Sequence, residues 1–551
     1  MHDVHAPEHP IDPQVYARRH AILGVLCLSL MIVIIGNTAL NVAIPTLARE
    51  LDASTTDLQW MVDAYALVFA GMLFTAGTLG DRFGRKGALQ GGLVLFAIGT
   101  LIAAFATTST MVIAARAVMG LAAAFVMPST LSLLTNVFPP AERPKAIAVW
   151  AGISGGGAAL GPIASGFLLE HFWWGSVFLV NVPVLLLALV AGKVLVPTSR
   201  DPEQPPLDVP GALLSIAGLS ALVYAIIEGP VRGWASTETI GTFAGAGLLL
   251  VLFAIRELRA EHPMLDLRYF RDARFSAASG GITMIFFAMF GTFFLVSQYF
   301  QLVLGFSPLE AGLLQLPMGF VMMLVSPQVP GLVARFGPRN VVPIGLGIVA
   351  FGLLAFSFVG VGTPAWLVLV PAVFLAVGMA LSMTPLTTLI MASVPVTKAG
   401  VGSAMNDTTR ELGGALGVAV LGSVLTSTYS SSLRPAVEGL PAPARAVAET
   451  GLTGAMAVAA EMGEAGTALV DAAKQAFVDG LGLAAIIGGI IVALVALGVR
   501  RALPVHVAGP ITAARPRELG VEPDATQAVA GGDTGIGEID LGDLSGADAT
   551  S

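Results

Sequence analysis

Charge is scarce in this chain: Asp, Glu, Lys and Arg together make up 12% of its 551 residues, where a soluble domain carries about 25%. That excludes an ordinary soluble globular protein. Cysteine occurs once, as Cys27, so neither an intrachain disulfide nor a cysteine-ligated metal is available, and within its apolar run it reads as a small buried residue. The seven histidines stand at 2, 5, 9, 20, 171, 262 and 506, none in the middle of an apolar run. No metal site is expected. A Walker loop, a zinc spacing and a nucleophile–base set are all missing, which argues against an enzyme and against any cofactor. The net charge of −8 owes much to the tails, and no basic patch appears, so nucleic acid is not an expected partner.

What is present is hydrophobicity. Apolar residues make up 55% of the chain, and the mean hydropathy is +0.82. A spanning helix needs about 20 mostly apolar residues. Fourteen runs qualify, at approximately 21–46, 58–79, 87–107, 110–136, 146–169, 175–196, 209–228, 238–256, 274–301, 309–332, 340–360, 366–394, 400–428 and 478–499. The expected class is an all-α integral membrane protein. The run after Arg18-Arg19 is too long for the apolar core of a cleavable signal and reads as the first permanent span.

Counting basic residues by loop orients the spans. Of 28 Lys and Arg, 21 fall on the side holding the N-terminus and 5 on the other, with Arg116 and Arg410 inside spans. By the positive-inside rule the first side, with both termini, is cytoplasmic. The abundance of Arg, Ala and Gly suggests a bacterium, hence a bacterial plasma membrane. Residues 429–477 form the longest connection and would be extracytoplasmic, with stretches such as Ala442–Glu449 suited to short surface helices. The tail 501–551 is rich in Gly, Asp and Glu and is expected to be disordered.

The chain also repeats itself. Arg82-Phe83-Gly84 recurs as Arg335-Phe336-Gly337, each after the second helix of a bundle-sized half, with Ala334 in place of Asp81. Internal repeats with a site between them mark secondary transporters. The expected layout is a tail 1–20, a six-helix half 21–197, two inserted helices within 198–273, and a second six-helix half 274–500.

Several motifs occur together and in order. Gly77-Thr78-Leu79-Gly80-Asp81-Arg82-Phe83-Gly84-Arg85-Lys86 joins the second and third spans. Asn41-Val42-Ala43-Ile44-Pro45 closes the first span, and Trp60-Met61-Val62-Asp63-Ala64-Tyr65 opens the second. Arg116 to Gly120, Phe178 to Pro183, His262 to Leu267 and Asn406 to Gly414 follow. From about residue 30 to about residue 430 the chain resembles the major facilitator superfamily, and within it the fourteen-helix drug:proton antiporters of the EmrB/QacA type. The resemblance implies a major facilitator fold: two six-helix halves plus two extra central helices.

Three groups of residues carry the expected chemistry. In the fifth span, Gly152, Gly157, Gly161, Pro162 and Gly166 offer a face of small residues for close packing, bent at the proline. In antiporters of this resemblance such a helix is taken to seal the halves and favour export; Ser165 stands where the family has Gly. In the second and fourth spans, Asp63 and Arg116 lie at similar depth, at about 1.5 Å per residue. They are expected either as a proton-coupling pair or as a permanent stabilising one. The family's first-span acid falls on Gly36 here, which removes a buried acid that a lipophilic cation would favour. In the thirteenth span, Asp407, Arg410 and Glu411 share one helix face. Asp407 and Arg410 are placed to pair, leaving Glu411 to titrate or meet substrate; the alternative is an interface network. Glu228 reads as interfacial. Of Phe286, Phe287, Phe290, Phe293 and Phe294, most face lipid or core and a few suit an apolar cavity.

The Gly77–Lys86 loop (Gly77, Gly80, Asp81, Arg82, Gly84, Arg85, Lys86) must lie at a water interface, since open backbone and charge are costly in lipid. By resemblance it is a gating latch, with Asp81 capping or pairing across the halves and Arg82 and Arg85 as partners. The expected function is proton-coupled export of small hydrophobic or amphiphilic compounds such as drugs or antibiotics, by a monomer. The expected partners are a small-molecule substrate, protons and the lipid bilayer. The alternatives are a dedicated exporter or importer of one metabolite, and a non-transporting sensor or scaffold.

Overall fold

Backbone polar groups in hydrocarbon must be satisfied within their own segment, so each apolar run folds as a helix. The computed structural model describes residues 11–202 and 206–503. Its helices are α1 (Pro13–Glu50), α2 (Thr55–Phe83), α3 (Arg85–Ala104), α4 (Ser109–Val137), α5 (Arg143–His171), α6 (Ser176–Leu179), α7 (Asn181–Leu195), α8 (Val209–Arg232) and α9 (Thr237–Arg259). There follow α10 (Ala273–Gln298), α11 (Pro308–Val325), α12 (Val329–Phe336), α13 (Pro338–Ala355), α14 (Ala365–Ala392), α15 (Ala399–Val437), α16 (Ala442–Glu449), α17 (Leu452–Met462) and α18 (Thr467–Ala502). No strand occurs among the described residues. Thirteen segments there are long and apolar enough to cross a membrane, and α5, 29 residues long, supplies the fourteenth. The expected tail at 501–551 lies, from residue 504 on, outside the described residues, as do residues 1–10.

Several helices outrun the apolar stretches that predict them. The last span, read as 478–499, belongs to α18, which starts at Thr467, and α15 continues to Val437 before α16 and α17. Polar residues at a helix end can leave the lipid and stay helical, so hydropathy sees less than the backbone does. Tyr429 of α15 donates its hydroxyl to the carbonyl of Ala448 at 3.1 Å, tying α16 down. The two halves begin their second helices alike: Ser54 with Asp57, and Ser307 with Glu310, form capping boxes. The matching turns after these helices both place glycine at positive φ, Gly84 at 120° and Gly337 at 74°, where other residues are strained.

Apolar side chains such as Val194, Leu248, Leu324 and Leu494 stand exposed on the outside of the bundle, the face that lipid covers. Inside, α5 lies between α1 and α11, so it touches both halves. Gly157 faces Met31 and Ile34 of α1, while Gly155 faces Met322 and Gly166 faces Leu309 of α11. A Cβ on Gly161 would collide with the Thr38 hydroxyl and reach 3.2 Å from the Ala39 nitrogen. Ser165, the departure from the family's glycine, donates to the Ala39 carbonyl at 2.7 Å. Gly161→Val is therefore expected to cost about 1–3 kcal/mol by overpacking, read as a lower thermal unfolding midpoint in detergent. Gly156→Ala serves as the control, because its Cβ would meet only the Met323 sulfur at 3.7 Å.

The inserted pair α8–α9 leans on both halves. Ser220 of α8 donates to the Leu67 carbonyl of α2 at 3.2 Å, and Trp60 stacks on Tyr224 with ring centroids 6.4 Å apart. On the other side, the Trp234 indole donates to Ser423 of α15 at 2.8 Å.

Candidate functional site

Between the halves lies a cavity of about 200 Å³. Helices α1, α2, α4 and α5 line it from one half and α10, α11, α14 and α15 from the other. Its walls are soft and aromatic: Met127, Met289, Met318, Met322, Met379 and Met383 alternate with Tyr65, Phe69, Phe286, Phe290 and Phe293. Methionine is flexible and polarizable, so such walls accommodate apolar ligands of varied shape. Of the phenylalanines of α10, Phe286, Phe290 and Phe293 line the cavity, while Phe287 meets Gly417 through its backbone.

The acidic and basic residues lining this cavity are Asp407, Arg410 and Glu411, all from α15. The i, i+3, i+4 spacing brings them to one face, as expected. Asp407 accepts from Arg410 at 3.5 Å and from the Asn406 amide at 3.3 Å, and its second oxygen is buried without a partner. Arg410 reaches across to α5, where it donates to Ser154 at 2.9 Å. Glu411 borders the cavity with no hydrogen bond or ion pair among the described residues. All three groups line the cavity between the halves.

The expected Asp63–Arg116 pair is not formed. Arg116 is fully buried and turns to neutral oxygens, donating to the carbonyls of Met61 at 2.9 Å and Gly36 at 3.3 Å and to Asn37 at 3.0 Å. Its guanidinium lies 4.4 Å from the Tyr65 ring centroid. Met61 and Tyr65, four apart, share the face of α2 that meets Arg116; Asp63, two along, points away. Asp63 sits half-buried instead on the side facing α8, where Glu228 is the charge that acts on it. Glu228 itself pairs with Arg232 at 2.6 Å at the end of α8. A side chain at position 36 would meet Phe96 and Met119, not the cavity, so Gly36 contributes its carbonyl to Arg116.

At the end of the bundle that holds the Gly77–Lys86 turn, the two halves are locked together. Asp81, 4% exposed, accepts from Arg85 at 2.7 Å and from the backbone N–H groups of Gly400 at 3.0 Å and Val401 at 3.2 Å. Those amides open α15, so a carboxylate from one half caps a helix of the other, with the favourable end of the helix dipole toward it. Arg85 donates onward to the carbonyls of Val396 at 2.8 Å and Thr397 at 2.7 Å. Arg82 is not a partner of Asp81. Adjacent positions on a helix do not face each other, and its guanidinium covers the Phe83 ring at 5.2 Å, as Arg335 covers Phe336 in the repeat. Lys86 donates to the Lys193 carbonyl at 2.8 Å. Gly77 allows the crossing: a Cβ there would lie 2.7 Å from the Gly400 carbonyl oxygen. Gly80 faces Ala88 across the turn.

Sequence reading missed Asn37, Tyr65, Trp150, Ser154 and Gln315 as site residues. None carries a charge, and on an apolar helix a single polar or aromatic residue does not announce which way it points. Only Trp150 left a trace, as the sole indole in a glycine- and alanine-rich helix.

Two helical halves around one soft cavity in the bilayer, clasped at one end by buried charge, define a secondary transporter. The chain belongs to the Major Facilitator Superfamily, whose family model matches residues 26–418; it is a multi-pass transport protein and not an enzyme. It is similar to the multidrug efflux pump LfrA of Mycolicibacterium smegmatis, 38% identical over 489 residues, which are 88% of this chain and 96% of the relative. The tetracenomycin C resistance and export protein of Streptomyces glaucescens is 33% identical over 497 residues, covering 87% and 91%. Among solved structures, a bacterial homologue of the human lysosomal transporter Spinster, in an inward-facing conformation, matches with a TM-score of 0.56 at 18% identity. That match covers 90% of this chain and 98% of the other, and bears on the fold.

Proposed function

We propose that this protein is a proton-coupled antiporter that exports small hydrophobic or amphiphilic drugs across a bacterial plasma membrane. Both termini lie in the cytoplasm, and the monomer is the working unit, with no nucleic-acid partner. The observation that carries the reading is the unpaired Glu411 beside the loosely held Asp407–Arg410 pair, all three in a methionine- and phenylalanine-lined cavity between the halves. A carboxylate that binds a proton on one side and releases it on the other gives the cycle its drive. The Asp81–Arg85 clasp on α15 holds the cytoplasmic side shut, and α5 slides as the seam between α1 and α11. Names and lengths of the relatives support the same reading.

The test is ethidium flux in everted membrane vesicles. Acidification of the lumen should drive ethidium inward, which is export in the cell's sense, and a protonophore should stop it. Flux in the opposite sense would establish an importer, and transport of one metabolite with no drug would establish a dedicated carrier. Asp63, facing α8 near the outer end of α2 with Glu228 close to it, serves in this scheme as a station where protons enter from the outer side. Asp63→Asn is expected to slow ethidium export while keeping it proton-dependent, measured as initial rates with and without the pH gradient; complete uncoupling would make Asp63 the carrier itself.

A further inference from the structure

Arg410 is held by groups of the opposite half that have no role in the proposed proton cycle. Arg410 leaves its own helix and enters α5 of the first half. There its guanidinium donates to Ser154 at 2.9 Å and lies 5.4 Å from the Trp150 ring centroid and 4.6 Å from that of Phe286 of α10. Trp150 and Ser154 are four apart and share a helix face. Trp150 is fully buried, and its indole N–H is fixed by Thr130 of α4 at 3.2 Å. Its ring is therefore a rigid surface. By contrast the contact of Arg410 with Asp407 is long, at 3.5 Å, and one oxygen of Asp407 is buried and bare. The shorter polar contact of this cation is across the halves, not with the acid beside it.

We propose that Trp150 and Ser154 form a seat on α5 that competes with Asp407 and Glu411 for the Arg410 guanidinium, so that the position of this one side chain links protonation in α15 to the seam between the halves. Trp150 and Ser154 are positioning residues in this scheme, acting through Arg410, and the scheme rests on the proposed role of the α15 carboxylates. When the carboxylates are protonated their pull on Arg410 ends, and the seat holds it. When they are ionised they draw it back, and the contact with α5 weakens.

Little else ionisable bears on the switch. Tyr65 of α2 faces Glu411 and Arg116, and Arg116 of α4 is turned to α1. Asp63 of α2 and Tyr224, Glu228 and Arg232 of α8 lie toward one end of their helices. Helix α14 has no ionisable residue, those of α5, α10 and α11 lie near the helix ends, and Asp479 of α18 is exposed and bonded to Gln475.

Removing the seat leaves Arg410 free to move toward the carboxylates. A nearer cation favours their charged form, so they bind protons less readily. The experiment is ethidium–proton exchange by the full-length protein in proteoliposomes, scanned across pH. Trp150→Phe and Ser154→Ala should each shift the midpoint of the pH profile toward acid, by about half to one unit, the size of a desolvated cation–π contact. Ser154→Thr, which keeps the hydroxyl, should restore the wild-type midpoint. A midpoint unmoved in both variants, whatever the rate, would overturn the seat and leave those residues with packing alone. If Glu411→Gln and Asp407→Asn both keep the normal pH profile, the carboxylate reading itself fails, and that outcome is distinct from the first.

Discussion

Glu411→Gln should leave ethidium equilibrated across the membrane, with no proton-driven accumulation, in protein that is folded and still binds the dye. The side chain keeps its shape and loses only the ability to gain and give a proton. Because Glu411 makes no hydrogen bond or ion pair among the described residues, the change breaks no contact and should not destabilise the fold. Each proton moved down a potential of about 100 mV supplies about 2.3 kcal/mol, which sustains a drug gradient of about 50-fold. Without the titrating group that factor is lost for each proton it carried. The measurement is the steady-state ethidium gradient in energised everted vesicles, alongside dye binding to purified protein. Asp407→Asn should act in the same direction, with an added loss of stability, since it removes the acid from a buried pair and leaves Arg410 to Ser154 and its flanking rings. A wild-type gradient from both variants would move the coupling site away from α15.

The second large effect is expected at the clasp. Asp81→Ala removes the acceptor for Arg85 and for two N–H groups that begin α15, all of them buried. Breaking one partner from a buried charge pair costs about 3–5 kcal/mol. That cost falls on the conformation in which this end is shut, because the bonds to Gly400 and Val401 exist only when the halves meet. A shift of that size changes the ratio of closed to open molecules by more than about 100-fold. Distance measurements by spin labels on α2 and α15 should then show these helix ends apart, and export should fall to background. Gly400→Val tests the same surface by bulk, since a Cβ there would lie 2.6 Å from the Gly77 carbonyl oxygen and 2.7 Å from Asp81. It should reproduce the open state without removing a charge. If the labels stay close in both variants, the clasp is ornament to a closure made elsewhere.

Read together, the two effects separate the machine into parts that touch different terms. In the proposed mechanism Glu411 sets whether protons supply the drive, Asp81 and Arg85 set which conformation is populated, and α5, packed by glycine on α1 and α11, sets whether the halves can slide. The correction at Asp63 sharpens this division. The sequence pairs it with Arg116 on depth alone, and depth is only one of the two coordinates of a helical residue. The other is the angle around the axis, and there Met61 and Tyr65 face Arg116 while Asp63 faces α8.

Composition, run length and the lopsided distribution of Lys and Arg were sufficient for the class and the span count, because the bilayer imposes one rule on every segment: apolar, about 20 residues, internally bonded. The motif order was sufficient for the family. The spacing of Asp407, Arg410 and Glu411 was sufficient for a shared face, since helix geometry is local. Tertiary structure alone decided which faces meet. It turned Arg116 onto the oxygens of α1 and α2, brought Arg410 to Trp150 and Ser154 some 250 positions away in the chain, and set Asp81 on the first amides of α15. Those outcomes follow from the rotation and crossing of whole helices, which depend on glycine contacts and side-chain volumes summed along every seam. No window of sequence contains that sum.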